Sequence, residues 1–289
     1  MSWRTIVVAR RAKLELQMNY IVIRNDTVVK VHLDEVYQVL VESTAVSITA
    51  SLLVELMKRK INVIFCDEKR LPCGEILNYY GSHNTSQKYK RQMKWTKKSK
   101  ELIWTEIVEE KIRKQRELLI EIGKSKEANL LESYINAIEI GDTSNREGHA
   151  AKVYFNALFG VNFTRTEDNL VNAALNYGYS IILSAIAREI VSQGYCTQIG
   201  IFHDNMFNQF NLACDFMEPY RILIDRKVKK MKLNKFASEE KMHLVNVLNE
   251  FVSINGKNEY VNKSIKIYVK SVFDALDEVD VSLMSFYRV

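Results

Sequence analysis

Chain-breaking residues are scarce in this sequence. It holds 2 prolines and 10 glycines among 289 residues, where average usage would place roughly 14 and roughly 20. So few interruptions favour long helices, and the apolar periodicity bears this out for the larger part of the chain. Segments 101–122, 128–140, 144–158, 169–193, 208–231, 239–251 and 260–276 each repeat apolar residues at three- and four-residue spacing. The first third reads differently. Short β-branched runs at 5–9, 14–17, 20–24, 27–33 and 36–41 alternate with turns, Asn25-Asp26 being a hairpin turn. An amphipathic helix over 47–60 turns Leu52, Leu53, Leu56 and Met57 inward, and a buried strand follows at 62–66. Residues 73–80 add a further strand or begin a linker. The segment GSHNTS at 81–86 is small, polar and turn-forming, as a linker is. The expected fold is α+β: an N-terminal β-rich domain over 1–80, a linker over 81–86, and a larger all-helical domain over 87–289.

Hydrophobic residues make up 47% of the chain and charged residues 26%, enough for a core and a hydrated surface. The opening segment has the wrong order of basic and apolar residues for a signal peptide. No window approaches the ~20 apolar residues of a membrane span. Cys66, Cys73, Cys196 and Cys214 form no C-x-x-C pair. This disfavours a zinc knuckle or disulfide framework and fits a reducing, intracellular setting.

The net charge of +6 is concentrated. Lys88, Lys90, Arg91, Lys94, Lys97, Lys98 and Lys100 lie in one acid-free block, and Arg226, Lys227, Lys229, Lys230, Lys232 and Lys235 in another. Without them the remainder is net acidic. Two such blocks are either solvated helix faces or the footprint of a polyanion such as DNA. Trp95, Tyr89, Tyr79 and Tyr80 are aromatics near the first block. They are candidates for stacking on frayed bases, although core positions suit Tyr79 and Tyr80 better.

The stretch FNLACDFMEPYR, residues 210–221, carries the chemistry. Asp215 and Glu218 are three residues apart, hence on one helix face, and Pro219 should kink the helix beside them. Upstream stand Glu147 and His203. Glu147, His203 and Glu218 together offer oxygen, nitrogen and oxygen ligation, which suits Mn²⁺ and tolerates Mg²⁺. Each residue also has a plainer reading. Ser144 and Glu147 match a capping box, His203 fits a structural hydrogen bond, and Glu218 fits an ion pair with Arg221.

The segments SNREGHAAKVYFNALFG, NYGYSIILSAIAREIVSQG, GIFH and FNLACDFMEPYR, with VIFCDEKRLP and RQMKW before them, resemble the CRISPR-associated integrase family, CRISPR-associated protein one, in its type II form. The resemblance spans essentially the whole chain. It implies an N-terminal β domain that pairs two subunits and a helical catalytic domain. Its metal ligands fall on Glu147, His203 and Glu218, with Asp215 an accessory acid and Arg221 in the basic position after the E-P pair. Ile222 stands where many relatives have a second proline. The implied activity is metal-dependent insertion of new spacers into a CRISPR array for antiviral defence, the DNA 3′-hydroxyl attacking a phosphodiester. His203 either ligates the metal or assists proton transfer to the leaving oxygen.

Implied cofactors are Mg²⁺ or Mn²⁺. Implied partners are spacer-precursor duplex DNA with 3′ ends, CRISPR repeat DNA, a second copy of the chain, and a small second adaptation subunit bridging two dimers. An RNA-guided interference nuclease and an accessory subunit complete the set, in the prokaryotic cytoplasm. DNA contacts are expected from Lys88, Lys90, Arg91, Lys94, Trp95, Arg146, Arg221, Lys227, Lys229 and Lys230. The alternatives are a branched-DNA nuclease that does not integrate and a non-catalytic DNA-binding scaffold.

Overall fold

The computed structural model describes residues 4–79, 84–231 and 233–289. Its first part holds strands β1 (Arg4–Val8), β2 (Ala12–Gln17), β3 (Tyr20–Arg24), β4 (Val28–His32), β5 (Val36–Val41) and β6 (Val46–Ile48), helix α1 (Ala50–Lys58), and strands β7 (Asn62–Cys66) and β8 (Pro72–Glu75). They form two four-stranded sheets, ordered β1-β5-β7-β8 and β4-β3-β2-β6. The turn at Asn25 forms as its residue type requires, the side-chain Oδ1 accepting from the Thr27 N–H. Strand β6, too short to show alternation, was not legible beforehand.

Central strand β5 is buried along its whole length. Its register against β1 shifts between Arg4 and Thr5, so Tyr37 is skipped in the pairing. Val36, Val39 and Val41 join a core shared with Leu14, Ile21, Leu52 and Leu56. Tyr37 and Leu40 point the other way, into the core of the helices. One sheet therefore belongs to two cores, and the helical part is built directly on it. Asn62 Nδ2 donates to Ser184 Oγ at 2.6 Å, and Arg188 Nε to the Lys60 carbonyl at 2.6 Å.

The second part holds α2 (Thr85–Gln92), α3 (Lys97–Glu121), α4 (Ser125–Ile135), α5 (Arg146–Phe159), α6 (Leu170–Ser192), α7 (Asn211–Met217), a 3₁₀ turn (Glu218–Tyr220), α8 (Arg221–Met231), α9 (Ser238–Val245), strands β9 (Phe251–Ile254) and β10 (Lys257–Tyr260), and α10 (Val261–Glu278). The expected linker at 81–86 is shorter at its end, since Thr85 and Ser86 open α2; residues 81–83 lie outside the described residues.

The all-helical expectation is corrected at β9 and β10, an antiparallel hairpin where helix was expected up to 251 and from 260. Its turn is Asn255-Gly256, both at positive φ. That pair is the strongest short hairpin signal a sequence offers, and it was masked by the apolar spacing around it. Helix α6 also amends the membrane expectation: by length and composition it could cross a bilayer. Here it is the central core helix, contacting α7, α8, α9 and α10 and the strands β7 and β8.

Candidate active site

Helix α3 supplies the floor of the site. Thr96 caps it, its side chain accepting from the Ser99 N–H at 3.1 Å. Its inward stripe runs Trp104, Ile107, Val108, Lys111, Gln115, Leu118. A lysine in that stripe has to find anions, and two reach it. Lys111 Nζ lies 2.5 Å from Glu147 Oε1 and 2.5 Å from Glu218 Oε2. Burial alone would lower the Lys111 pKa; the Glu218 and Glu147 charges more than reverse this and raise it.

Glu147 is free to do this because the capping box does not form. Asn145 is the N-cap of α5, accepting from the Gly148 N–H at 3.2 Å. Asp142 takes the Arg146 and Glu147 N–H groups at 2.7 and 3.0 Å. Ser144 Oγ has no hydrogen bond. With the helix end satisfied by others, the Glu147 carboxylate turns to the cleft.

Glu218 opens the 3₁₀ turn at Pro219. Proline has no N–H to give, and the helical run tightens there for one turn before α8 begins. The kink is braced from behind: Tyr287, fully buried, donates its hydroxyl to the Pro219 carbonyl at 2.9 Å. Arg221 Nε donates to Glu218 Oε1 at 3.0 Å, so the expected pair with Arg221 forms too. Burial would raise the Glu218 pKa, but the Arg221 and Lys111 charges hold it down at about 2. Glu218 Oε2 is buried and, although beside the ammonium, has no aligned hydrogen bond.

Asp215 stands behind these groups and touches none of them. Fully buried, it accepts N–H bonds from Ile201 (2.7 Å), Phe202 (3.2 Å) and His203 (3.0 Å), and pairs with His203 Nδ1 at 2.6 Å. The loop can approach this closely because of Gly200, whose absent Cβ would sit 2.3 Å from the His203 carbonyl. Asp215 therefore shapes the loop and orients the imidazole. The His203 pKa is raised by that bond, against the opposing effect of burial. Its ring meets the Trp104 indole edge-on at 5.8 Å. With Nδ1 facing the carboxylate, Nε2 is left for the cleft.

Glu147, His203 and Glu218 thus line one cleft of 260 Å³ with Lys111, Arg165 and Arg221. Among the described residues no three His, Cys, Asp or Glu side chains stand as a ready-made metal cluster, and the Lys111 ammonium lies against both carboxylates. The donor set still suits a hard divalent ion. The two carboxylates already surround one positive charge, and Glu218 Oε2 retains an uncommitted lone pair. Lys111, Arg165, Tyr179 and Asp225 were not foreseen. Tyr179 lies between two guanidinium groups, Arg165 at 5.3 Å and Arg221 at 4.8 Å from its ring centroid. Its hydroxyl donates to Asp225, as does that of Tyr154. Only Lys111 left a readable trace, a cation on an otherwise apolar helix face.

The expected DNA-contacting residues separate into two groups. Lys90 and Lys94 are exposed, with no carboxylate partner among the described residues. Lys88 donates to the Tyr195 hydroxyl at 3.2 Å and Arg91 pairs with Asp277 at 2.8 Å. Arg146 lies 5.9 Å from the Tyr134 ring centroid. Two assignments are corrected. Trp95 is buried, stacked on Tyr195 and Phe273 and bonded through Nε1 to Asp277; no base can reach its face. Lys227 is buried and paired with Glu250. Lys229 donates to the Leu158 carbonyl and Lys230 pairs with Glu121 at 2.9 Å. Lys232 and Tyr80 lie outside the described residues. Tyr79, expected in the core, is 94% exposed.

The buried Glu218, the partly buried Glu147 and His203 thus line a cleft rimmed by guanidinium and ammonium groups, a charge arrangement that suits a phosphate ester. Comparison with known proteins agrees with the geometry. The profile of the family described as CRISPR associated protein Cas1 matches residues 5–247, and the chain belongs to that family. It is 38% identical over 229 residues to the CRISPR-associated endonuclease Cas1 of Neisseria meningitidis serogroup C (strain 8013), covering 79% of this chain and 75% of that one. Two solved structures share the fold at 18% identity each. A casposase bound to integration product aligns with a TM-score of 0.79 over 96% of this chain and 92% of that one. A Cas6-RT-Cas1–Cas2 complex aligns with a TM-score of 0.78 over 97% of this chain and 36% of that one.

Proposed function

We propose that this protein is a metal-dependent DNA endonuclease and integrase of CRISPR adaptation, joining a DNA 3′-hydroxyl to a phosphodiester of the array. The observation that carries this reading is the pairing of Glu147 and Glu218 around one cation, in a cleft that Arg165 and Arg221 also line. Membership of the Cas1 family supports it, as do the endonuclease name of the meningococcal relative and the integration product held by the casposase.

Mg²⁺ or Mn²⁺ held by Glu147, Glu218 and His203 would act as a Lewis acid on the phosphate and lower the pKa of the attacking hydroxyl. The protein's own groups do the rest. Lys111 and Arg221 keep Glu218 anionic at neutral pH. Asp215 fixes the His203 ring so that Nε2 faces the cleft. Arg165, bonded to the neutral amides of Asn172 and Asn176, keeps its full charge for a phosphate. The exposed lysines Lys90 and Lys94 carry the DNA flank. The working assembly is a homodimer joined to the small second adaptation subunit, in line with the Cas1–Cas2 complex above. The RNA-guided interference nuclease and accessory subunit belong to the same proposal.

The test is incubation with a branched DNA and Mn²⁺ or Mg²⁺, with and without the second subunit, for this protein and Glu218→Ala. New branches lost in the variant support strand transfer. Free ends without new branches mean hydrolysis alone, and chemistry that survives in the variant sinks the site.

A further inference from the structure

The carboxylates of Glu147 and Glu218 face each other across a single ammonium. Two acids this close, one fully and one partly buried, need a counter-charge, and Arg221 does not provide one for both: it reaches Glu218 Oε1 and then lies over Tyr179. Among the described residues only the Lys111 side chain, itself nine-tenths shielded, contacts both acids. The position between the two acids is therefore occupied by the protein's own cation.

We propose that Lys111 is the built-in counter-ion of the Glu147–Glu218 pair, and that a divalent metal loads by exchanging with its ammonium. This rests on the metal-dependent reading above. The exchange has two consequences. Metal binding to the free protein is weakened, because the ion must displace a charge-assisted contact to each acid. The displaced ammonium then remains on α3 beside the 260 Å³ cleft, needing a new anion, and a DNA phosphate provides one. DNA and metal thus favour each other's binding, and the coupling is reciprocal.

The experiment is an electron paramagnetic resonance titration of Mn²⁺ into the full chain, with and without a short duplex DNA, for the natural protein, Lys111→Met and Lys111→Arg. Methionine keeps the stem and removes the charge. Without DNA, Lys111→Met should bind Mn²⁺ about tenfold tighter or more, while Lys111→Arg stays close to the natural protein. DNA should raise Mn²⁺ affinity in both proteins, by about fivefold or more beyond the Lys111→Met effect in the natural protein. Equal or weaker Mn²⁺ binding by Lys111→Met, or the same DNA effect in both proteins, overturns the proposal while leaving the metal site standing. No Mn²⁺ binding by any of the three removes the metal site and this exchange together. If Lys111→Met is unfolded alone, recovery of a thermal transition on adding Mn²⁺ supports the exchange, and no recovery refutes it.

Discussion

Two ends of one helical run treat a buried acid in opposite ways. At Glu218 the facing groups are cations, Lys111 and Arg221, and the carboxyl is held at about 2. At Asp225, one element later, the facing groups are the hydroxyls of Tyr154 and Tyr179. There burial dominates those bonds and the Arg221 and Arg165 charges, and the carboxyl rises to about 6. Burial is essentially complete at both. Depth alone therefore does not decide whether an acid keeps its charge; the neighbour at contact distance does. Both acids line the same cleft; Glu218 is held ionised by the cations it touches, and Asp225 anchors the tyrosine between two guanidinium groups.

The strongest way to break this contrast is to neutralise the ionised acid. Glu218→Gln keeps the shape and should lower strand transfer or cleavage by about 10³-fold or more, with DNA affinity within a few-fold. A product-forming rate within tenfold of the natural protein would remove Glu218 from the chemistry. Asp215→Asn comes next. Its amide cannot accept all the N–H bonds the carboxylate takes, so at least one buried donor is stranded, at a cost of about 1–3 kcal/mol. The His203 ring loses its orienting partner, and activity should drop about 10–100-fold. Unchanged denaturant midpoint and activity together would show that the loop holds itself.

Asp225→Asn sharpens the other end. A folded-state pKa above the ordinary 3.8 means that Asp225 adds stability below pH 3.8 and loses it as pH rises through about 6. The variant should therefore gain on the natural protein between pH 4 and pH 7, on the order of 1–3 kcal/mol. Parallel stability curves across that range would contradict the raised pKa. The smallest effect concerns the basic blocks. Lys94→Ala should reduce the log–log salt slope of DNA binding by roughly 0.9. Lys227→Ala should leave the slope alone and cost stability instead, because its charge is already committed to Glu250. The reverse pattern would restore the second block as a DNA surface.

Much of the fold was readable because it depends on local periodicity. β3 and β5 fall where the alternation places them, and α6 differs from its expected span by one residue at each end. The hairpin at β9 and β10 was missed where two signals conflicted: apolar spacing read as helix, while Asn255-Gly256 specified a turn. At the site, Glu147, His203 and Glu218 were visible as residue types and do line one cleft. Lys111 was hidden because an interior lysine looks like a surface lysine until the stripe around it is traced. The fate of the second basic block was likewise beyond any local pattern, since Glu121 and Glu250, which pair with Arg226, Lys230 and Lys227, come from distant segments. Trp95 shows the same limit, its partners Tyr195, Phe273 and Asp277 lying far along the chain.

Tyr287 braces the kink at Pro219 from a position made 68 residues later, and its own carbonyl accepts from Lys114 on α3 at 2.6 Å. A ribosome that has finished α7 and α8 has thus produced every acid of the site but not the brace that holds them. Residue 288 also pairs with residue 253 of the hairpin, which ties the same late segment to β9. The turn that carries Glu218 gains its buried brace only once Tyr287 has been made, so the cleft should reach its final geometry late in folding.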